Sequence, residues 1–172
     1  MANDVRLICW PTPDRLGLGI QIRTLVGQLH HQEPELVQID TGYSEEILIP
    51  QTVFDTLNLT YWQLPDSVSA QGTTVTGQVI HFREAPVDIV IPNAGIQQRV
   101  IAQTFTQNTR FLLGRVFLRH FKFILDGPGG QICLLKSNHF ETNGFAWLVT
   151  IPSSKIAQIT QIEQTEKNLR NL

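Results

Sequence analysis

Asp40 is the residue best placed to do chemistry, because it ends the apolar run Leu36–Ile39 and begins an Asp-Thr-Gly triplet. Asp and Gly are turn residues, so the pattern predicts a strand, a tight turn and a second short strand at Ile47–Ile49. A carboxylate held in such a turn can act as a general acid or a general base. The other interpretation is a β-turn with a solvated carboxylate, since the triplet is short and common.

A second glycine-bearing segment follows, with Gly114 lying 74 residues after Asp40. Phe111–Leu113 is an apolar run that ends in Gly114 and Arg115, which predicts a short strand. Residues 116–121 can then form one or two helical turns.

A predicted hairpin lies between these two segments. Val68–Ala70 and Val75–Phe82 are rich in Val, Thr and Ile, which favour strands. A glycine between two such runs indicates a hairpin tip or a bulge. The tip is predicted at four small or polar residues, Gln71, Gly72, Thr73 and Thr74.

These three parts, in this order, resemble the retropepsin-like aspartic proteases, the single-domain relatives of pepsin that include the retroviral proteases. The resemblance covers about residues 18–135, and the strand and turn at 123–130 are similar to those of some bacterial members. It implies a mainly β fold, an acid-protease barrel with one or two short helices. Residues 1–135 would form the protease domain, and residues 136–172 a C-terminal extension with a strand and a helix.

The resemblance implies a role for each matching position. Asp40 would be the catalytic carboxylate of an aspartic endopeptidase. In the same loop, Thr41 would direct its hydroxyl to a partner loop and Gly42 would permit close backbone approach. The flap that closes over a bound peptide would consist of Gln71, Gly72, Thr73 and Thr74. Structural support would come from Leu113, Gly114 and Arg115.

The chemistry of this class needs two carboxylates about 3 Å apart, which share one proton and titrate as a unit. One then deprotonates a water while the other protonates the substrate carbonyl. The chain carries only one Asp-Thr-Gly triplet, because the sequences after Asp55, Asp66 and Asp126 do not repeat it. Asp40 therefore requires the Asp40 of a second copy, and the expected partners are a homodimer and a peptide or protein substrate.

Two positions depart from the family pattern. Tyr43 stands where Ala, Ser or Thr is usual, so it cannot bond the aspartate as a small hydroxyl would, and its ring would narrow the cleft. Arg115 would normally pair with an aspartate that is replaced here by Ser44, which leaves Glu45 or Glu46 as its hypothetical partner. Tyr43 keeps open the alternative of a catalytically silent dimerisation or peptide-binding module.

Composition bounds the remaining functions. Of 172 residues, 42% are hydrophobic and 16% are charged, and the net charge is −2. No basic run is present, so neither nucleic acid nor an anionic membrane is an expected partner. The N-terminus lacks the pattern of a signal peptide, and no apolar stretch approaches about 18 residues, so a soluble cytoplasmic protein is expected.

The spacing of the cysteines and histidines in the sequence predicts neither a disulfide nor a metal site. Cys9 and Cys133 each lie in an apolar run, which favours buried free thiols. No two histidines have a metal-binding spacing, so the histidines are expected at the surface. Neither a metal nor a cofactor is expected. The histidines are His30, His31, His81, His120 and His139.

Other patterns predict the elements around the site. Strands are expected near residues 5–10, 18–26, 86–91, 97–105 and 145–150, with a hairpin over 121–135. A short helix is expected over residues 50–59 and a longer one over residues 155–172.

Overall fold

The computed structural model describes residues 5–11, 14–66, 68–73, 77, 79–126 and 128–137. The strand predicted at 145–150 and the helix predicted at 155–172 lie outside these residues. The domain boundary at 135/136 therefore stays a prediction. None of the described helices is long and apolar enough to cross a membrane.

The described residues are mainly β, with short helices at the positions that their sequences predict. The strands are β1 (Val5–Pro11), β2 (Gly17–Arg23), β3 (Glu35–Ile39), β4 (Ile47–Leu48), β5 (Gln71–Thr73), β6 (Val79–His81), β7 (Arg83–Ile91), β8 (Ile96–Thr104), β9 (Leu112–Leu113), β10 (Lys122–Asp126) and β11 (Gln131–Ser137). The α-helices are α1 (Gln51–Thr56), with Pro50 at its N-cap position, and α2 (Arg115–Leu118), with Gly114 at its N-cap position.

Six strands close into a barrel in the order β2-β3-β9-β4-β8-β7. Their alternating apolar residues point inward, which follows from the period of two along a strand. Fully buried side chains on three of these strands include Leu18, Ile20, Val37, Val87 and Ile89. The predicted mainly β barrel with one or two short helices is therefore confirmed as a fold.

β9 lies between β3 and β4, the two strands that precede and follow the Asp40 loop. It runs parallel to β3, with Ile39 opposite Leu113, and antiparallel to β4, with Ile47 opposite the same Leu113. Two residues 74 positions apart in sequence, Asp40 and Gly114, are thereby brought to the same end of the barrel.

The predicted hairpin exists, but Gln71–Thr73 belong to one of its strands and not to its tip. Gln71–Thr73 form β5 and pair with β6, with Gly72 opposite Ile80. Thr74 lies outside the described residues. The ring of Phe82 packs over Gly72 and leaves no space for a side chain there, because an added Cβ would lie 2.9 Å from that ring. Gly77 has the left-handed φ of +82° that a turn needs. The prediction of the tip at 71–74 was wrong for Gln71–Thr73.

The terminal strands form a separate sheet in the order β1-β11-β10. Cys9 and Cys133 are directly opposite each other in β1 and β11 and form a disulfide. The prediction of free thiols was wrong, because strand register, which sets this proximity, is not visible in the separate runs. Disulfides persist mainly in oxidising compartments, so this bond does not support the predicted cytoplasmic location.

Candidate active site

The Asp40 loop is a tight turn held by its own carboxylate. Gly42 N–H donates to Asp40 Oδ1 at 2.8 Å, and Tyr43 N–H donates to the Asp40 carbonyl at 3.1 Å. A Cβ at Gly42 would lie 3.1 Å from the same carboxylate oxygen, which favours glycine here. Asp40 is half-buried, whereas Thr41 and Gly42 are exposed. The backbone of this loop is thus fixed while its surface remains open.

The segment after β9 clamps this loop from the side. Asp40 N–H donates to the Leu113 carbonyl at 2.9 Å, and Gly114 N–H donates to the Glu46 carbonyl at 2.9 Å. Arg115 N–H donates to the Tyr43 carbonyl, also at 2.9 Å. These bonds join the backbone on both sides of the turn to the start of α2.

Gly114 is required at this place by close packing. A Cβ there would lie 2.1 Å from the Glu45 carbonyl oxygen and 2.6 Å from Tyr43 Cδ1. The φ of Gly114 is −97°, which any residue can adopt. Arg115 is exposed at the start of α2, and the contact with this loop described above is made by its backbone. The ion pair of Arg115 with Glu45 or Glu46 stays a prediction.

Tyr43 turns away from the open surface, so the expectation that its ring narrows the cleft was wrong. Its ring packs against Gly114, and its hydroxyl donates to Gln103 Oε1 on β8. Burial raises the pKa of Tyr43 well above its usual value, and the carboxyl groups of Glu45, Glu84 and Glu46 add to this effect. Tyr43 is therefore a neutral hydrogen-bond donor at any physiological pH.

A buried polar chain continues from Tyr43 to the base of the hairpin. Gln103 Nε2 donates to Glu84 Oε1 at 2.6 Å. The other carboxyl oxygen of Glu84 accepts a bond of 3.1 Å from the backbone N–H of Ala70, the residue before β5. Gln103 and Glu84 are each only 1% exposed. Hydrogen bonds through three side chains thus connect the Asp40 loop to the hairpin base.

The hairpin base is also held by apolar contacts. Phe82 N–H donates to the Ala70 carbonyl at 3.1 Å, which extends the pairing of β5 and β6. The rings of Phe82 and Phe105 meet edge to face with their centres 5.8 Å apart. The hairpin is therefore fixed at its base by both a backbone hydrogen bond and a ring contact.

Asp40 lies in a cleft of about 610 Å³. Leu36, Gln38 and Asp40 line this cleft, because alternate residues of β3 face the same side. Gly17 of β2, with Arg15 just before it, lines the cleft on one side of β3, and residues 109–112 line it on the side where β9 pairs. The cleft is thus a groove along an extended strand with a carboxylate at the end of that strand.

Asn108 fixes the wall that residues 109–112 form. Its side chain is 4% exposed and donates to the carbonyls of Ile49 at 2.6 Å and Arg110 at 3.1 Å. Its amide oxygen accepts from Arg110 N–H at 3.0 Å. Sequence reasoning missed Gln103 and Glu84 because a polar residue in a β pattern is normally assigned to the solvent face. It missed Asn108 because a polar residue in the loop after β8 is normally assigned to solvent as well. The apolar residues near Gln103 and Glu84 in their strands are the signal that was present, whereas Asn108 lies in the polar run 106–110 and has no such signal.

No protein-family profile and no curated protein matches the chain. Among solved structures, the EIAV protease complexed with the inhibitor HBY-793 is similar over 62% of this chain and 88% of that chain, with a TM-score of 0.43 and 18% identity. The retroviral protease-like domain of Ddi1 from Leishmania major is similar over 72% of this chain and 95% of that chain, with a TM-score of 0.42 and 8% identity. Both are likenesses of fold alone.

Proposed function

We propose that this chain is an aspartic endopeptidase that acts as a homodimer, with Asp40 and the Asp40 of a second copy as the catalytic pair. The observation that supports it best is the position of Asp40 on a backbone-clamped loop, at the end of an open groove, with Thr41 and Gly42 exposed beside it. An exposed, rigid loop is what a two-fold axis would need to bring two carboxylates into contact.

In this proposal, the two carboxylates share one proton and hold a water between them. The ionised carboxylate takes a proton from the water as the water oxygen attacks the peptide carbonyl carbon. The protonated carboxyl group gives its proton to the carbonyl oxygen. Transfer of a proton to the amide nitrogen then allows the C–N bond to break, which releases an amine and an acid. These steps require neither a metal nor a cofactor.

The substrate would be an extended peptide that lies along β3 and is covered by the β5–β6 hairpin, where Gln71, Gly72, Thr73 and Thr74 would act as part of the flap. Leu36 and Phe111 offer apolar surface in the groove, and Arg15 and Arg110 offer positive charge. Peptides with an acidic side chain near the cleaved bond are therefore expected to be preferred over the same peptides with lysine there.

The experiment is cleavage of an unfolded protein mixture between pH 4 and pH 7, with and without pepstatin. Cleavage is expected for the natural sequence and should be lost in Asp40→Asn. The matched control is Asp126→Asn, because Asp126 is also a turn carboxylate that accepts a backbone N–H, from Gly129 at 2.8 Å. Equal cleavage by natural sequence and Asp40→Asn would reject the proposal.

A second candidate function is a catalytically silent module that dimerises or binds peptides. The inward position of Tyr43 favours it, because no small hydroxyl at that position supports the Asp40 carboxylate. A dimer that binds a peptide-mimetic inhibitor but cleaves nothing would support this module. A chain that stays monomeric at micromolar concentration would contradict both candidates.

A further inference from the structure

A group of metal-ligating side chains lies outside the cleft, where the loop after β2 meets the start of β3. His30, His31 and Glu35 each offer one donor atom, and these atoms lie within 4.8 Å of one another. The rings of His30 and His31 are in contact, with their centres 3.9 Å apart. The structure thus brings the two adjacent histidines, expected at the surface, next to the first residue of the strand predicted at Glu35–Ile39.

The donors in this group are not satisfied by one another. His30 Nε2 lies 3.9 Å from Glu35 Oε2, which is longer than a hydrogen bond. His30 Nδ1 is buried and has no hydrogen-bond partner among the described residues. The donors of this group are therefore available to a cation.

The donor set selects the type of cation. Two imidazoles and one carboxylate suit Zn²⁺ and related transition metals, whereas Ca²⁺ and Mg²⁺ prefer oxygen ligands. Donors around a tetrahedral Zn²⁺ lie roughly 3.4 Å apart when each metal–ligand bond is about 2.1 Å. The exposed side chains of His31 and Glu35 can rotate to shorten the present distances.

The backbone that carries these donors is already fixed. His30 N–H donates to the Ile22 carbonyl at 2.9 Å, and Arg23 pairs with Leu29 across the loop. Glu35 pairs with Ile20 at the start of β3. The main chain therefore needs no rearrangement, which lowers the entropic cost of binding.

The group is separate from the proposed catalytic site. Glu35 is five residues before Asp40, or about 16 Å along an extended strand. Leu36, Gln38 and Asp40 face the groove, so the alternation along β3 directs Glu35 to the other side. A cation held here would join the loop to β3 and would not take part in hydrolysis.

We propose that His30, His31 and Glu35 form a binding site for one divalent transition-metal ion of the Zn²⁺ type, with water completing the coordination. The role of the ion is structural, because it ties the loop after β2 to the strand that carries Asp40. This site does not depend on the proposed peptidase activity.

The test uses the full chain, freed of metal with EDTA and dialysed, and titrated with ZnCl₂ by calorimetry. One Zn²⁺ per chain is expected, with a dissociation constant in the micromolar range. His30→Ala and Glu35→Gln should each weaken binding at least tenfold. Glu35→Gln changes an exposed side chain and keeps its shape, so it tests the site even if His30→Ala fails to fold. His81→Ala, at an exposed histidine outside the group, should bind as the natural sequence does.

A parallel titration with CaCl₂ should give no saturable binding. The proposal is overturned if ZnCl₂ gives no saturable binding, if Glu35→Gln binds Zn²⁺ as tightly as the natural sequence, or if Ca²⁺ binds equally well. Asp40→Asn should retain full Zn²⁺ affinity, and a loss in that variant would contradict the separation of the two sites.

Discussion

The hydrogen bond between Tyr43 and Gln103 offers a sharp test of the buried chain that joins the Asp40 loop to the hairpin base. Tyr43→Phe removes the hydroxyl and leaves Gln103 Oε1 without that donor in a site that is only 1% exposed. Gln103→Leu removes the acceptor and also the 2.6 Å bond to Glu84. The double variant removes both partners of the Tyr43–Gln103 bond.

The expected costs follow from which groups lose their partners. Tyr43→Phe should lower the free energy of unfolding by about 1–2 kcal/mol, because a buried acceptor is left unpaired. Gln103→Leu should lower it by about 3 kcal/mol, since it leaves both the Tyr43 hydroxyl and one Glu84 oxygen without Gln103. The double variant should be no less stable than Gln103→Leu alone, because the substitution of Tyr43 also removes the hydroxyl that would otherwise be buried without its acceptor.

The assay is urea unfolding of all four proteins at one fixed protein concentration, since the stability of the proposed dimer would depend on concentration. The coupling free energy between the two sites is expected to be about 1–2 kcal/mol. Tyr61→Phe is the control, because Tyr61 is 84% exposed and its loss should cost less than about 0.5 kcal/mol. Additivity of the two single variants within about 0.5 kcal/mol would refute the buried bond.

Three further predictions concern stability. Gly114→Ala should lower the free energy of unfolding in urea by about 3 kcal/mol, because its Cβ would lie 2.1 Å from a carbonyl oxygen. The control is Gly27→Ala, which should lower it by only about 1 kcal/mol, because Gly27 has a φ of +90° but no atom within 4 Å of an added Cβ. Reduction of the Cys9–Cys133 disulfide removes a constraint across 124 positions and should lower stability by about 4–5 kcal/mol in the chain-entropy account; equal melting with and without reductant would contradict this. The pKa of Tyr43 is raised on folding, so its contribution is fully present below pH of about 10, the unfolded value, and is lost as pH rises further. The natural sequence should therefore lose stability above a pH of about 10 more steeply than Tyr43→Phe, and equal slopes would contradict the burial of this hydroxyl.

Local patterns were sufficient to predict the parts of the site that depend on turn chemistry. The Asp40 turn, the short strand before Gly114 and the hairpin between them each have a signal within a short stretch of sequence. Gly114 could be predicted to matter, but the reason, its close approach to the Glu45 carbonyl, depends on how β9 inserts between β3 and β4.

Features that depend on register or on the choice of inner face could not be predicted in this way. The pairing of Cys9 with Cys133 follows from β1 and β11 being neighbours in a sheet, which neither apolar run reveals. Glu84 and Gln103 lie in strands whose alternation defines two faces, but alternation does not say which face is covered. Gly72 and Gly77 are equally plausible turn residues by type, and the structure distinguishes them by the ring of Phe82 over Gly72 and by the left-handed φ of Gly77.

The central claim is that Asp40 works only beside a second Asp40, and the most direct test is a mixing experiment. The natural sequence and Asp40→Asn are unfolded together in equal amounts, refolded as random dimers and assayed for peptide cleavage. If each active site needs both aspartates, about a quarter of the dimers should be active, which is half the cleavage that the same amount of natural sequence gives alone. Cleavage that stays proportional to the amount of natural sequence, whatever the share of Asp40→Asn, would contradict the shared site.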